Sequence, residues 1–325
     1  MNNILEVDGL TVHYLTENPE RPVHAVENVS FSLKEGESLG LVGESGCGKT
    51  ATCRTILRLL AGNAEIMGGE VRYNGRNLLA LSEEEMRKMR GAEIGMIFQE
   101  PMTALNPVLS IQTQMYEALG KKMPRAEKHQ RAVEMLNMVG IPDPEKRLKE
   151  YIHQFSGGMR QRAMIAITLA SQPKLLLADE PTTALDVTIQ AQIIRLIKML
   201  QKQLNMSLIL ITHDLGVVSH MCDRVVVMYA GQIMETAEVH DLFRAPRHPY
   251  TLGLMGSIPK GGNAAEKLNP IPGSPVDLTA MPEGCPFAPR CAYATEMCRK
   301  AFPEPREIAP GHLVRCWQDP TKEAL

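Results

Sequence analysis

Eight residues constrain this chain more than any others: Gly43-Glu44-Ser45-Gly46-Cys47-Gly48-Lys49-Thr50. They fit G-x-x-x-x-G-K-[ST], and they lie between an apolar run, Ser38-Leu39-Gly40-Leu41-Val42, that reads as a buried strand and a segment from Lys49 that reads as a helix. Glycines in this pattern let successive backbone N–H groups converge on one phosphate, and the helix start adds its partial positive charge. Lys49 is then placed to reach the β- and γ-phosphates of a nucleotide, and the Thr50 hydroxyl to ligate Mg²⁺. Position 51 is the next place where a threonine could extend the motif, and no role is assigned to it. The plain alternative is a glycine turn ending in an incidental Lys-Thr, and the flanking strand and helix argue against it. Strand, glycine loop and helix in succession make an α/β unit.

A second element agrees. Leu175-Leu176-Leu177-Ala178-Asp179-Glu180 is an apolar strand ending in two carboxylates. Asp179 can sit beside Mg²⁺, and Glu180, one residue on, can polarise a water in line with the γ-phosphate. Alone such a strand says little; downstream of a phosphate loop it points to nucleotide hydrolysis.

The rest of the chain supports an α/β fold. Short β-rich segments at residues 5–7, 11–14 and 29–33 suggest an antiparallel opening. Helical periodicity starts at Glu83 and returns at residues 131–139, with Ala132, Met135, Leu136 and Val139 on one face. Strands are expected at residues 174–179 and 207–212, with a helix between them over 188–204, and this alternation predicts a parallel sheet flanked by helices. From about residue 245 prolines and glycines multiply, so a boundary is expected between 240 and 258, with a short helix over 251–257 and an irregular tail after it.

Composition closes off other classes. Lys and Arg total 35 against 37 Asp and Glu, so the net charge of −2 gives no global attraction to nucleic acid. Apolar runs are strand-sized, too short to cross a bilayer, and the first residues have neither the basic start nor the apolar core of a secretory signal. A cytoplasmic location is expected. Of the 7 cysteines, Cys47, Cys53 and Cys222 are scattered, whereas Cys285, Cys291, Cys298 and Cys316 gather near the end. In a reducing compartment such a group favours metal over disulfides.

Between the phosphate loop and the catalytic-looking strand end lies Phe155-Ser156-Gly157-Gly158-Met159-Arg160-Gln161-Arg162. With it the chain resembles the ATP-binding cassette ATPases, whose usual form of this motif is Leu-Ser-Gly-Gly-Gln; Phe155 and Met159 depart from it. The Ser-Gly-Gly motif offers a hydroxyl, backbone N–H groups and a helix start, with the helix expected to open at Met159. The resemblance implies that Ser156, Gly157, Gly158 and Met159 close over the γ-phosphate held by the other subunit of a head-to-tail dimer. It implies further roles in chain order: Tyr14 stacking on adenine, Gln99 touching Mg²⁺ and the attacking water, Asp186 in the Thr183-Ala184-Leu185-Asp186 loop at the dimer interface, and His213 contacting the γ-phosphate. Glu180 would be the general base. Each has a bland reading too, Tyr14 most of all, since a strand aromatic often packs in a core.

The tail narrows the resemblance. Ala245-Pro246-Arg247-His248-Pro249-Tyr250, Ile271-Pro272-Gly273-Ser274-Pro275 and Cys285-Pro286-Phe287-Ala288-Pro289-Arg290-Cys291 are similar to the ATPase subunits of oligopeptide, dipeptide and nickel importers. Met228-Tyr229-Ala230-Gly231 and the start of the signature helix resemble the first of the two ATPase chains in such systems. The implied fold is a cassette-type P-loop NTPase: a mixed, largely parallel sheet core, an antiparallel β subdomain and a helical subdomain, with an irregular cysteine-containing C-terminal part. The implied domains are residues 1–240, with helices over about 100–170, and a tail over 241–325. The implied partners are a second, homologous ATPase subunit, two transmembrane permease subunits and an extracytoplasmic substrate-binding protein, at the cytoplasmic face of the plasma membrane. The ligands are ATP and Mg²⁺, and the cargo a peptide, with nickel, a metallophore or an opine-like molecule as alternatives. A soluble cassette ATPase of translation or DNA repair is the rival class; those usually join two cassettes or insert a long coiled coil, and neither is seen. Cys285, Cys291, Cys298 and Cys316 follow a C-x5-C-x6-C-x17-C spacing, without the short paired spacing common in structural zinc sites. The resemblance puts a [4Fe–4S] cluster first, zinc second and free thiols third.

Overall fold

The structure is a computed structural model describing residues 2–183, 185–257 and 271–318. Ala184, part of a motif quoted above, lies outside the described residues, as do parts of the 241–325 tail. The chain divides into two compact units, one of Met1–Ala80 with Leu210–Leu325 and one of Leu81–Ile209.

The first unit contains an antiparallel sheet and a mixed one. Strands β1 (Asn3–Tyr14), β2 (Val23–Lys34), β3 (Ser38–Val42), β4 (Ala64–Tyr73) and β5 (Arg76–Asn77) open the chain, and the first sheet runs β2-β1-β4-β5. The segments expected at 5–7 and 11–14 are one strand. Gly9, at φ 59, makes a bulge rather than a break, and its N–H donates to Ser30 Oγ at 2.8 Å, so pairing with β2 resumes at Leu10. β3 is buried throughout and leads into the glycine loop and the helix Lys49–Ile56.

The second unit supplies β6 (Ile94–Ile97) and β7 (Leu175–Asp179), which pair in parallel as the alternating pattern predicts. Ser82 opens the helix Glu83–Met89 with a capping box to Glu85. The helix expected from residue 131 begins earlier, at Arg125, because its first turns are polar and surface-facing and carry no apolar period. Its buried residues Ala132, Met135 and Leu136 are among those expected. The signature helix spans Gly157–Leu169, two residues earlier than expected at Met159: Ser156 accepts the N–H of Met159, so the serine is the cap and the glycines are the first turn. The helix Val187–Gln203 buries Ile193, Leu196, Ile197 and Leu200.

The chain returns to the first unit through β8 (Ser207–Thr212), at the division itself, and adds β9 (Arg224–Tyr229) and β10 (Gln232–Glu238). Ala230 and Gly231 both have positive φ (49 and 76), which closes β9 and β10 as a two-residue hairpin. The short helix expected over 251–257 is Pro249–Gly256. Two last strands, β11 (Arg306–Ala309) and β12 (His312–Val314), form a hairpin whose β12 pairs antiparallel with β10. Within the unit the second sheet therefore runs β11-β12-β10-β9-β3, with β9 parallel to β3. Glu235 of β10 is fully buried and accepts hydrogen bonds from the N–H groups of Arg247 and His248 (2.8 and 2.9 Å), with His312 Nε2 2.7 Å away.

Candidate active site

The first unit carries the phosphate loop. Gly43 and Gly48 are there for space as well as for dihedral freedom. A Cβ on Gly43 would lie 2.1 Å from Met228 O, and one on Gly48, at φ +99, would lie 2.2 Å from Ala25 O. The loop is thus pressed against β2 and β9. Lys49 is buried, and its Nζ donates to the carbonyl oxygens of Gly43 and Glu44, each at 2.8 Å. An ammonium held this way is preset at the loop's centre and can exchange carbonyl for phosphate oxygens. Cys47 is buried beside it, and burial pushes its thiol pKa up. Thr50 is half-buried in the first helical turn, and Ser45 and Gly46 are exposed at the loop crest. Position 51 holds no second threonine to extend the motif: Ala51 stands there, buried in the first turn, with a methyl side chain that can bring neither a ligand to Mg²⁺ nor a donor to phosphate. Its carbonyl accepts Thr55 Oγ1 at 2.7 Å within the helix. Thr50 is therefore the hydroxyl that follows Lys49.

Tyr14 ends β1, paired with Val23 and Ala64, and is half-buried, so its ring is not consumed by the core. His213 is exposed immediately after β8, and the next residue, Asp214, caps the helix Leu215–Met221 by accepting from Gly216 N at 2.8 Å. That cap, which sequence reading passed over, pins the chain on the far side of His213. In β1 and β2, Glu27 Oε1 lies 2.5 Å from both His13 Nε2 and His24 Nδ1, and one carboxylate satisfies both imidazoles.

The second unit carries the two carboxylates expected at the strand end. Asp179, 1% exposed, ends β7. Glu180 follows at φ 44, a left-handed conformation uncommon for a non-glycine residue and typical of functional strand ends. Gln99 Nε2 donates to Glu180 Oε2 at 3.2 Å and Thr183 Oγ1 donates to the same oxygen at 2.8 Å. Gln99 and Glu180, 81 positions apart, therefore come together, and Thr183, quoted only as part of the interface loop, is a third member. Gln161, buried in the signature helix, donates to Pro181 O at 2.6 Å and so ties that helix to the turn after Glu180. Ser156 and Gly157 are exposed at the helix start, Gly158 and Met159 half-buried. Asp186 is exposed and caps the helix Val187–Gln203 through Ile189 N at 2.9 Å.

Residues 26–183 match the ABC transporter family, and residues 234–298 match the C-terminal region of oligopeptide/dipeptide transporters. The dipeptide transport ATP-binding protein DppD of Bacillus subtilis is 49% identical over 320 residues, which is 98% of this chain and 95% of that protein. The chain belongs to the ABC transporter family. The oligopeptide transport ATP-binding protein OppD of Salmonella typhimurium is 48% identical over 326 residues, covering 100% of this ABC ATPase and 96% of its relative. Among solved structures, the ATP-binding cassette MJ0796, in a dimeric post-hydrolysis state bound to ADP and Pi, has a TM-score of 0.64 at 28% identity. It covers 72% of this chain and 98% of its own. Among the described residues, no helix is long and apolar enough to cross a membrane.

In the tail, Cys285, Cys291, Cys298 and Cys316 line one pocket with Phe287 and Arg315. Burial pushes the Cys285 thiol up to about 12 and Cys316 up to about 11, with the neighbouring cysteines adding to it, so without a metal these are protonated thiols at neutral pH. Four sulfur donors around one pocket suit a thiophilic metal. Its free volume is about 10 Å³, roughly the room of one water-sized sphere.

Proposed function

We propose that this chain is the ATP-hydrolysing motor subunit of an importer for oligopeptides or dipeptides. ATP and Mg²⁺ are held by Lys49, Thr50 and Asp179, with Tyr14 against the adenine. Ser156, Gly157, Gly158 and Met159 cover the γ-phosphate of a partner subunit, and Asp186 lies in the interface loop. The partner is a second, homologous ATPase chain, and the pair drives two permease subunits fed by an extracytoplasmic binding protein, at the cytoplasmic face of the plasma membrane.

The observation that carries this reading is the Glu180 carboxylate, held at a strand end between Gln99 and Thr183. Two donors on one oxygen fix the orientation of the carboxylate at the strand end, and a general base has to be held in place in this way to meet its water. Gln99 then links hydrolysis to the helical region that follows it, over about residues 100–150, the surface proposed to receive the permease. Residues 1–240 act as the cassette and 241–325 as its accessory tail. The peptide cargo rests on the match of residues 234–298 to the oligopeptide/dipeptide C-terminal region and on the names of the relatives.

Glu180→Gln tests the motor. In the assembled complex it should bind ATP and remain in the closed dimer while phosphate release falls about 10²-fold or more. Turnover at the wild-type rate would remove Glu180 from the role.

The tail is proposed to hold a metal centre on Cys285, Cys291, Cys298 and Cys316. The resemblance favours [4Fe–4S], which would brace a lobe poor in apolar residues. Zinc is the alternative and would do the same with one ion. Iron, acid-labile sulfide and zinc measured on anaerobically purified protein decide between them.

A further inference from the structure

Glu44, the second residue of the phosphate loop, is held from the far end of the chain. Arg290 Nη1 and Nη2 donate to Glu44 Oε2 and Oε1 at 2.6 and 3.0 Å, a two-pronged pair spanning 246 positions. The Arg290 side chain is 5% exposed. Its Nε donates to Pro272 O at 2.9 Å, and its guanidinium lies 5.8 and 5.9 Å from the ring centres of Tyr229 and Phe287. The Glu44 N–H in turn donates to Tyr250 Oη at 2.8 Å, and the Tyr250 ring packs on Tyr229 and Phe287. Glu44 is therefore gripped at both carboxylate and main chain, while its carbonyl receives Lys49 Nζ.

Two consequences follow from charge and geometry. A free carboxylate in this loop would repel an arriving polyphosphate, and a buried bidentate guanidinium cancels that charge where water screens poorly. Any shift of Glu44 also shifts the carbonyl that presets the Lys49 ammonium. We propose that Arg290 is a positioning residue for nucleotide binding: from the C-terminal lobe it neutralises and anchors Glu44, and through Glu44 it sets the phosphate loop and Lys49. The tail thereby enters the ATP site without touching ATP. Arg290 closes the single turn Ala288–Arg290 and is followed directly by Cys291, so the same short segment serves the loop and the cysteine pocket.

The test is a cycle in the full-length chain, read by titration of a fluorescent N-methylanthraniloyl ATP with Mg²⁺, with KM and kcat measured in the assembled complex. Arg290→Ala should weaken nucleotide binding about ten-fold and raise KM by a similar factor with kcat little changed. Adding Glu44→Gln to Arg290→Ala removes the uncovered charge and should recover most of that loss. Arg290→Lys, which keeps the charge but not the fork, should lose about three-fold, and it keeps the test readable should Arg290→Ala not fold. Wild-type affinity in both Arg290 variants overturns the proposal. So does a double variant weaker than Arg290→Ala, since Arg290 would then act through the fold at large and not through Glu44.

Discussion

Replacing Gly48 by alanine concentrates two costs on one atom, and the neighbouring Gly46 provides a matched control. Gly48 sits at φ 99 and ψ −3 as the cap of the helix Lys49–Ile56. Left-handed backbone costs a side-chain-bearing residue about 1–2 kcal/mol. The new Cβ would also lie 2.2 Å from Ala25 O and 3.4 Å from Gly231 Cα, both of them backbone. Neither yields by a rotamer change, because Ala25 precedes the Val26↔Val12 pair of the first sheet and Gly231 is in the β9–β10 turn. Forcing that overlap apart is overpacking against fixed atoms, worth a further ~2–3 kcal/mol. At about 2–4 °C per kcal/mol for a unit of this size, the melting temperature of Gly48→Ala should fall by about 10 °C or more. Gly46 has φ 79 and nothing within 4 Å of its added Cβ, so Gly46→Ala carries the backbone cost alone. Its melting temperature should fall by about 3 °C. Thermal unfolding followed by circular dichroism, with ATP affinity measured in parallel, compares them. Equal losses in the two variants, or a Gly48→Ala protein melting with wild type, would refute the steric argument.

Three further outcomes are expected. Asp186→Ala should lose about 1 kcal/mol through its missing bond to Ile189 N, whereas Asp186→Asn should keep the cap and its stability; chemical denaturation separates the two. Burial holds His248 down to about 4 from its ordinary 6.5, so the unfolded chain binds its proton first as pH falls. Stability should therefore be full above about pH 6.5 and decline toward pH 4, by at most ~1.4 kcal/mol per pH unit from this group. His248→Asn can still cap Tyr250 N and should flatten that slope; parallel pH profiles would show that His248 is not its source. Cys291→Ser should lower the metal content of anaerobically purified protein to trace levels, as read by elemental analysis, and equal metal in variant and wild type would take Cys291 out of the ligand set.

What could be read from the sequence was what short range dictates. The phosphate loop, the Asp179-Glu180 strand end and the Ser-Gly-Gly helix start are contiguous, and each is defined by spacing along the chain. Even there the helix start was misplaced, because Met159 looks like the first helical side chain while its N–H is the one that Ser156 caps. Gly9 likewise reads as a strand breaker until its N–H finds Ser30. The grip on Glu44 could not be read, since Tyr250 and Arg290 lie 206 and 246 positions away and nothing local marks their partners. Glu44 itself occupies a position that the motif leaves open to any residue. Thr183 was legible as a loop residue but not as a donor to Glu180, which depends on the left-handed turn between them.

The division of the chain bears on how it is made. Leu81–Ile209 is one uninterrupted segment, whereas the other unit joins Met1–Ala80 to residues after 210 and completes its second sheet only when β12 pairs with β10. A ribosome delivers residues in order, and units fold as they emerge. The second unit can therefore close while synthesis continues, but the phosphate-loop half must wait with β3 and β1 already outside and its closing strand still to come. During that interval the edge of β10 is bare and Glu235 lacks His312. The newborn chain should thus be most open to chaperones and proteases late in its synthesis, and Glu44 can be gripped only after Arg290 has been delivered.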